Sequence, residues 1–187
     1  KKEDIITLPH PSLRTRSQKV GVITEEIHSL VERMKAATLD WEESRDHEIT
    51  VGLAAVQVNK LLRLFIIRDQ ASKDSFVCFI NPEITKYEGK ITEDYEGCLS
   101  IKNIYGLVGR YETVRIRAMN LSGKIFNLKA KGDLARILQH EVDHTNAILF
   151  IDHIKNSSDA FFHLEDNGNL TKLDYTKDIA NNKVLWS

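Results

Sequence analysis

Residues 139–144 read QHEVDH, and that hexapeptide constrains the chain more than any other segment. On a helix, His140 and His144 project from consecutive turns of one face, as two ligands of a single ion must. The flanking residues say where such a helix has to sit. Gly132 precedes DLARILQHEVDHTN, in which Ile137, His140 and His144 share one stripe while Leu134, Leu138 and Val142 form an adjoining one. A helix apolar around so much of its circumference has to be enclosed by the rest of the fold. Glu141, between the two histidines, is placed to take a proton from an activated water rather than to bind the ion.

Two histidines leave a catalytic ion short of the three protein ligands it usually takes. Cys98, in EGCLS at 96–100, is the best candidate for the third, because its thiolate would be a strong, soft ligand for iron or zinc. Each motif has a plainer reading: a lone cysteine is often a buried small hydrophobe, and HExxH arises by chance in charge-rich helices. Together they are far more specific than either alone.

The segments that could enclose the helix are legible from their periodicity. Residues 24–41, TEEIHSLVERMKAATLDW, set Ile27, Leu30, Val31, Met34, Thr38 and Trp41 at helical spacing, with Thr24 as the cap and two glutamates in the first turn. Polar EESRDHEIT at 42–50 then predicts a solvated connection whose position would also suit a rim over a site. From residue 62 the chain changes to short strand-like runs, LRLFIIR, FVCFINP and EITKYEGKIT. YETVRIRAM and KIFNLKAK follow, joined by a turn at Asn120–Gly123. Val114, Ile116 and Ala118 alternate with polar residues, as do Phe126, Leu128 and Ala130, which predicts an antiparallel hairpin with one face on a core. Strands around a single central helix make an α+β domain. Nothing repeats internally.

At 187 residues the chain fits one domain able to bury a substantial core without disulfides. With 26 basic and 27 acidic residues there is no charge excess to suggest nucleic acid or another polyanion as partner. Cys78 lies in the apolar run FVCFI and is expected to pack the core; if Cys98 binds metal, no disulfide can form and a reducing compartment follows. No apolar run reaches the length of a membrane span, and no signal-peptide pattern is present, which predicts a soluble intracellular protein. The chain begins at Lys1 without methionine, as it would after loss of a tag, a transit peptide or a short N-terminal stretch.

Three ordered motifs resemble those of the peptide deformylases. The family's GxGLAAxQ appears as TVGLAAVQ at 50–57, EGCLS is intact at 96–100, and QHExDH is intact at 139–144. The opening TLPHPSLRTRSQKV at 7–20 is also similar to the family's N-terminal segment, so the likeness runs over roughly residues 5–155. It implies one catalytic domain over 1–187, with antiparallel strands wrapped around a central metal-binding helix and residues 160–187 outside the motifs. It implies Cys98, His140 and His144 as ligands of one divalent ion, natively iron(II), with zinc, nickel or cobalt accepted. Glu141 becomes the general acid and base, Gln57 and the Leu99 backbone N–H the oxyanion donors, and Val51, Gly52 and Gly97 the residues lying along an extended peptide. The implied substrate is the N-formylmethionine end of nascent polypeptides, with transient ribosome association, no membrane and no direct nucleic-acid contact, in a bacterial cytoplasm or an organelle.

The family pairs Glu96 with an arginine matching Arg110; an ordinary surface salt bridge is the plainer alternative. Asp143 has two readings of equal weight, an orienter of the site and a solvated helix face. The chain departs from the pattern at Thr50, where a glycine is usual, at Ile101–Lys102, where a proline is common, and at Ala147, where a glycine would end the helix; Asn146 is expected to take the left-handed position instead. AFFHLEDNGNLTKLDY at 160–175 predicts a hairpin about a DNG turn, where typical bacterial relatives carry a helix. Two rival functions remain: a zinc endopeptidase drawing its third ligand from His163 or Glu165, and a non-catalytic homologue that binds peptides or ribosomes. Glu141 and Gln57 weigh against the second, since neither is needed to hold the helix or an ion.

Overall fold

A computed structural model describes residues 1–44, 51–69 and 75–187. The first long element is helix α1, Glu25–Glu42, and the last major one is α2, Asp133–Thr145. Between them lie strands β1 (Gly52–Ala54), β2 (Leu64–Arg68), β3 (Phe76–Cys98), β4 (Ile101–Met119) and β5 (Ile125–Lys131). A short helix α3, Phe150–His153, and strands β6, Phe161–Leu164, and β7, Leu170–Lys172, follow. The strands form one antiparallel sheet in the order β1-β2-β3-β4-β6-β7, with β5 also on β4.

The separate strand-like runs of the sequence are parts of two long, bent strands. β3 and β4 pair from Ile80↔Met119 to Cys98↔Ile101, and the register slips between Ile80 and Glu83, Ile84 and Lys86, Glu88 and Ile91, and Glu96 and Cys98. Each slip adds unpaired residues to one strand and bends it, which lets a single hairpin curve around α2 instead of lying flat. The far edge of β4 is shared, with Thr113–Met119 on β5 and Ile104–Gly106 on β6.

β2 is buried on both faces, which is why LFII reads as an unbroken apolar run. Leu64 and Ile66 pack with Ile27, Leu30, Val31 and Met34 of α1, whereas Phe65 and Ile67 face the other way, toward Leu138 and Val142 of α2. The Phe65 and Phe79 rings stack 4.9 Å apart at the second of these cores. Phe150, Ile151 and Phe161 anchor a third, under the end of the chain. The hairpin of β6 and β7 turns at Gly168, whose φ of 82° an L side chain would resist.

Several local expectations need correcting. Thr24 occupies the N-cap of α1, yet its side chain makes no capping hydrogen bond. Asn146 has φ −105°, and Ala147 itself adopts the left-handed conformation at φ 63°. The reason is that the Asn146 side chain is committed elsewhere: its Oδ1 accepts from Arg63 at 2.8 Å and its Nδ2 donates to the Val142 carbonyl at 3.2 Å. Ile148 N–H then reaches the Asp143 carbonyl at 3.0 Å and Ala147 N–H the His144 carbonyl at 3.3 Å, a Schellman ending with alanine at the glycine position. Lys102 does not sit in a loop, because only Leu99 and Ser100 turn between β3 and β4, and Ile101 is already buried in β4. Thr50, and most of the polar connection at 42–50 read as a rim, lie outside the described residues.

Candidate active site

α2 and the β3–β4 turn carry the two halves of the site. Gly132, at φ 63° and ψ −133°, lets the chain leave β5 and enter α2 within one residue. Gln139 then ties the helix to β4 as a strand neighbour would. Its Oε1 accepts from Tyr111 N–H at 3.1 Å, and its Nε2 donates to the Tyr111 carbonyl at 2.9 Å and to Ala135 at 2.9 Å. This fixes the helix at the height where His140 and His144 meet Cys98.

One ligand-capable atom from each of Cys98, His140 and His144 lies within 4.8 Å of the other two. Cys98 Sγ is 3.4 Å from His144 Nε2. Ligand arms of about 2.3 Å to sulfur and about 2.1 Å to nitrogen, set at a tetrahedral angle, would put the two atoms about 3.6 Å apart, so the spacing fits a shared ion. His140 uses Nδ1 on Glu96 at 2.9 Å, which orients the ring and leaves Nε2 for the site. Burial, then the neighbouring His140, hold the His144 imidazole well below its ordinary pKa and therefore neutral, as a ligand must be.

Behind His140 the charges form a closed cluster. Arg110 grips Glu96 with two bonds of 2.8 and 3.0 Å, Arg136 adds one of 2.9 Å, and Arg110 reaches Asp143 at 2.6 Å. Arg110 and Glu96 are buried, so this is not a surface salt bridge. Burial alone would push the Glu96 carboxyl up, but the hydrogen bonds from His140 and Arg110 outweigh it and hold it far below the usual carboxylate range. Asp143 also meets His153 Nε2 at 2.7 Å, which makes it part of the cluster and not a solvated face.

A cavity of about 290 Å³ opens in front of these groups. Val51, Gly52, Gln57, Gly97, Leu99 and Glu141 line it together with Cys98, His140 and Glu96; His144 and Arg110 stand behind the wall. Gln57 is 2% exposed and its orientation is set by Ala54 N–H, which donates to Oε1 at 2.9 Å. Its Nε2 is thereby turned toward Ser100 Oγ at 3.1 Å and Cys98 Sγ at 3.5 Å. Glu141 is buried with one oxygen unpartnered among the described residues, and burial is the main cause that pushes its carboxyl up to about 7, opposed by His140 and aided by Glu96 and Asp143. A Cβ placed on Gly52 would stand 2.7 Å from Glu141 Oε1, so the glycine is what makes room for this carboxylate. A Cβ on Gly97 would stand 2.6 Å from the Tyr105 ring.

The polypeptide deformylase family model matches residues 2–160. The chain belongs to that family. A peptide deformylase of Acinetobacter baumannii is 38% identical over 150 residues, covering 80% of this chain and 81% of the relative. One from Endomicrobium trichonymphae is 42% identical over 144 residues, or 77% of this chain and 81% of the other. Among solved structures, a Legionella pneumophila peptide deformylase superposes with a TM-score of 0.72 at 36% identity, covering 80% of this chain and 83% of that one. A Synechococcus elongatus peptide deformylase in complex with actinonin superposes with a TM-score of 0.73 at 31% identity, covering 82% and 79%.

Within this deformylase fold, five cavity residues lie outside the motifs: Trp41, Tyr95, Tyr105, Arg136 and Ile137. Trp41 had been read as the end of the apolar stripe of α1. It packs against that core and also reaches the cavity. Arg136 stands one turn before His140 on α2, and that i, i+4 spacing was the signal that could have found it. Tyr105 carried no local signal, because only the β3–β4 register brings it beside Gly97. His163 lies in β6 opposite Ile104, outside the Cys98–His140–His144 group, so the endopeptidase reading loses its third ligand.

Proposed function

We propose that this chain removes the formyl group from N-formylmethionine at the start of newly made polypeptides, with α2 as the central metal-binding helix. Family membership supplies the reaction and the substrate class. The observation that carries the residue assignment is the convergence of Cys98, His140 and His144 beside the buried, high-pKa carboxyl of Glu141. The three would hold one divalent ion, iron(II) natively with zinc, nickel or cobalt accepted, since a thiolate and two imidazoles suit these metals. A bound ion supplies Lewis acidity, which activates water and polarises a carbonyl.

The chain's own residues do the rest. Glu141, with its carboxyl near 7, can accept a proton at neutral pH and return it to the departing amine. Gln57 Nε2 and the Leu99 N–H would donate to the oxyanion that develops on the formyl oxygen. Among the described residues β1 pairs only with β2, so an extended peptide can lie along Val51 and Gly52 with its first side chain toward the aromatic and aliphatic wall. Encounter with the nascent chain would be transient, at the ribosome.

Matched formylmethionyl and acetylmethionyl peptides test this reading. With iron, nickel or cobalt loaded, amine release is expected from the formyl peptide and little from the acetyl one, with no internal cleavage by mass spectrometry. Internal fragments without deformylation would restore the endopeptidase, and no turnover with any of the metals would leave a binding protein.

A further inference from the structure

A second cavity, of about 710 Å³, lies on the side of α2 away from the site just described. Its wall carries Arg16, Lys19, Arg63 and Arg117 against a single carboxylate, Glu83. The near-neutral charge of the whole chain conceals this local excess. Among the described residues, Arg16, Lys19 and Arg117 have no ion-pair partner, and Arg117 is 4 Å or less from no carboxylate although Glu83 is its cross-strand neighbour.

Arg63 is the fixed member of the group. It is partly buried and makes three hydrogen bonds, to Asn146 Oδ1 at 2.8 Å, the Pro82 carbonyl at 3.3 Å and the Thr145 carbonyl at 3.4 Å, all neutral acceptors. Those bonds cap the end of α2 with neutral acceptors, and Glu83 is the one carboxylate on this wall that offsets the charge. Burial, and then the facing Arg16 guanidinium, push the Arg63 pKa down, and Glu83 opposes them in part.

The backbone is shaped for the cavity as well. β3 slips register between Ile80 and Glu83, and the extra residue Asn81 is held at φ 50° by its own side chain, whose Oδ1 accepts from Val20 N–H and Nδ2 donates to the Val20 carbonyl, both at 2.8 Å. A bulge with a left-handed non-glycine residue is a costly way to continue a strand, and it opens this cleft.

We propose that the cleft is an oxyanion site for a phosphate group, with Arg63 fixed at its floor and Arg16, Lys19 and Arg117 closing over the ligand. Guanidinium groups match phosphate oxygens bidentately, and three of them line this cleft. The phosphate could belong to a small phosphomonoester or to the backbone of a single-stranded RNA. The proposal is independent of the deformylase reading.

Binding is measured on the metal-loaded full chain by calorimetry at matched ionic strength, with inorganic phosphate, a nucleoside monophosphate and a short single-stranded RNA as probes and potassium chloride as the control. Saturable binding of phosphate or the monophosphate is expected, weakened about fivefold or more in R16Q and in R117Q and unchanged in K183Q, whose lysine is remote and exposed. RNA that binds, competes with phosphate and loses affinity in the same two variants identifies the source as a phosphodiester. Phosphate binding without RNA binding identifies a small phosphomonoester. Heats no larger than those of potassium chloride, or equal affinity in R16Q, R117Q and K183Q, would overturn the site.

Discussion

At the scale of single residues, the site depends on a few atoms that tolerate no displacement. Glu141→Gln keeps the shape of the side chain and removes the proton acceptor. We expect it to retain its metal and to lose turnover by about 10³-fold, in the range for a removed general base. Gly52→Ala asks a subtler question. Its new Cβ would meet Glu141 Oε1 at 2.7 Å, and because that atom ends a flexible side chain, the carboxylate moves and the fold stays. A shift of that size is expected to lower kcat by about 10²-fold with metal content and melting temperature nearly unchanged. Wild-type kcat in Gly52→Ala would show that Glu141 is not held where the chemistry needs it. The two cysteines differ in the same local way. Cys78 is buried, which pushes its thiol up to about 12, whereas Cys98 lines the cavity. Both the motif cysteine and the core cysteine were legible from their neighbours in sequence, because a thiol between apolar strand residues has only the core to go to.

At the scale of elements, α2 is held by its ends and by polar side chains that reach the sheet, Gln139 among them. Ala147 occupies a conformation that glycine adopts at little steric penalty, so Ala147→Gly should relieve left-handed strain worth about 1–2 kcal/mol and return part of it as unfolded-state entropy. A net gain of about 0.5 kcal/mol is expected in urea unfolding, and a loss of stability would show that Ala147 makes contacts worth more than its strain. Gln139→Ala is expected to go the other way. It removes both partners that Gln139 gives Tyr111, leaving part-buried backbone groups without them at about 1 kcal/mol. The existence of α1, α2 and the β4–β5 hairpin was readable from periodicity. The ending of α2 was not, because the choice between Asn146 and Ala147 depends on Arg63, which lies far away in sequence and claims the asparagine side chain. The length of β3 and β4 was hidden for a related reason. Register slips break the alternation that a periodicity reading follows, so one bent strand looks like several short ones.

At the scale of the whole molecule, the ion would add a further tie between two elements already joined through Glu96: the end of β3 through Cys98 and α2 through the two histidines. A ligand that binds only the folded chain stabilises it by mass action, by about 4 kcal/mol at a thousandfold excess over Kd, or about 10 °C for a chain of this size. Chelation is therefore expected to lower the melting temperature by roughly that much and abolish deformylation, and nickel or cobalt to restore both. Cys98→Ala should respond to neither treatment. A melting temperature indifferent to chelator in a protein that had contained metal would remove the ion from this junction.

Which residues to look for at the site was legible in the sequence alone, since HExxH periodicity on a buried helix, an upstream cysteine in a distinctive pentapeptide and a small-residue motif ending in glutamine are all local patterns. That strands enclose a central helix could also be read, because the apolar stripes of α2 require burial and the runs from residue 62 onward have strand character. Only the tertiary structure decided that Glu96 takes bonds from Arg110, Arg136 and His140 at once, that Tyr105 packs over Gly97, and that Arg16 and Arg63 share a cleft with Arg117. These are meetings of residues many positions apart, brought about by the curvature of one hairpin, and that curvature comes from bulges that leave almost no trace in the order of polar and apolar residues.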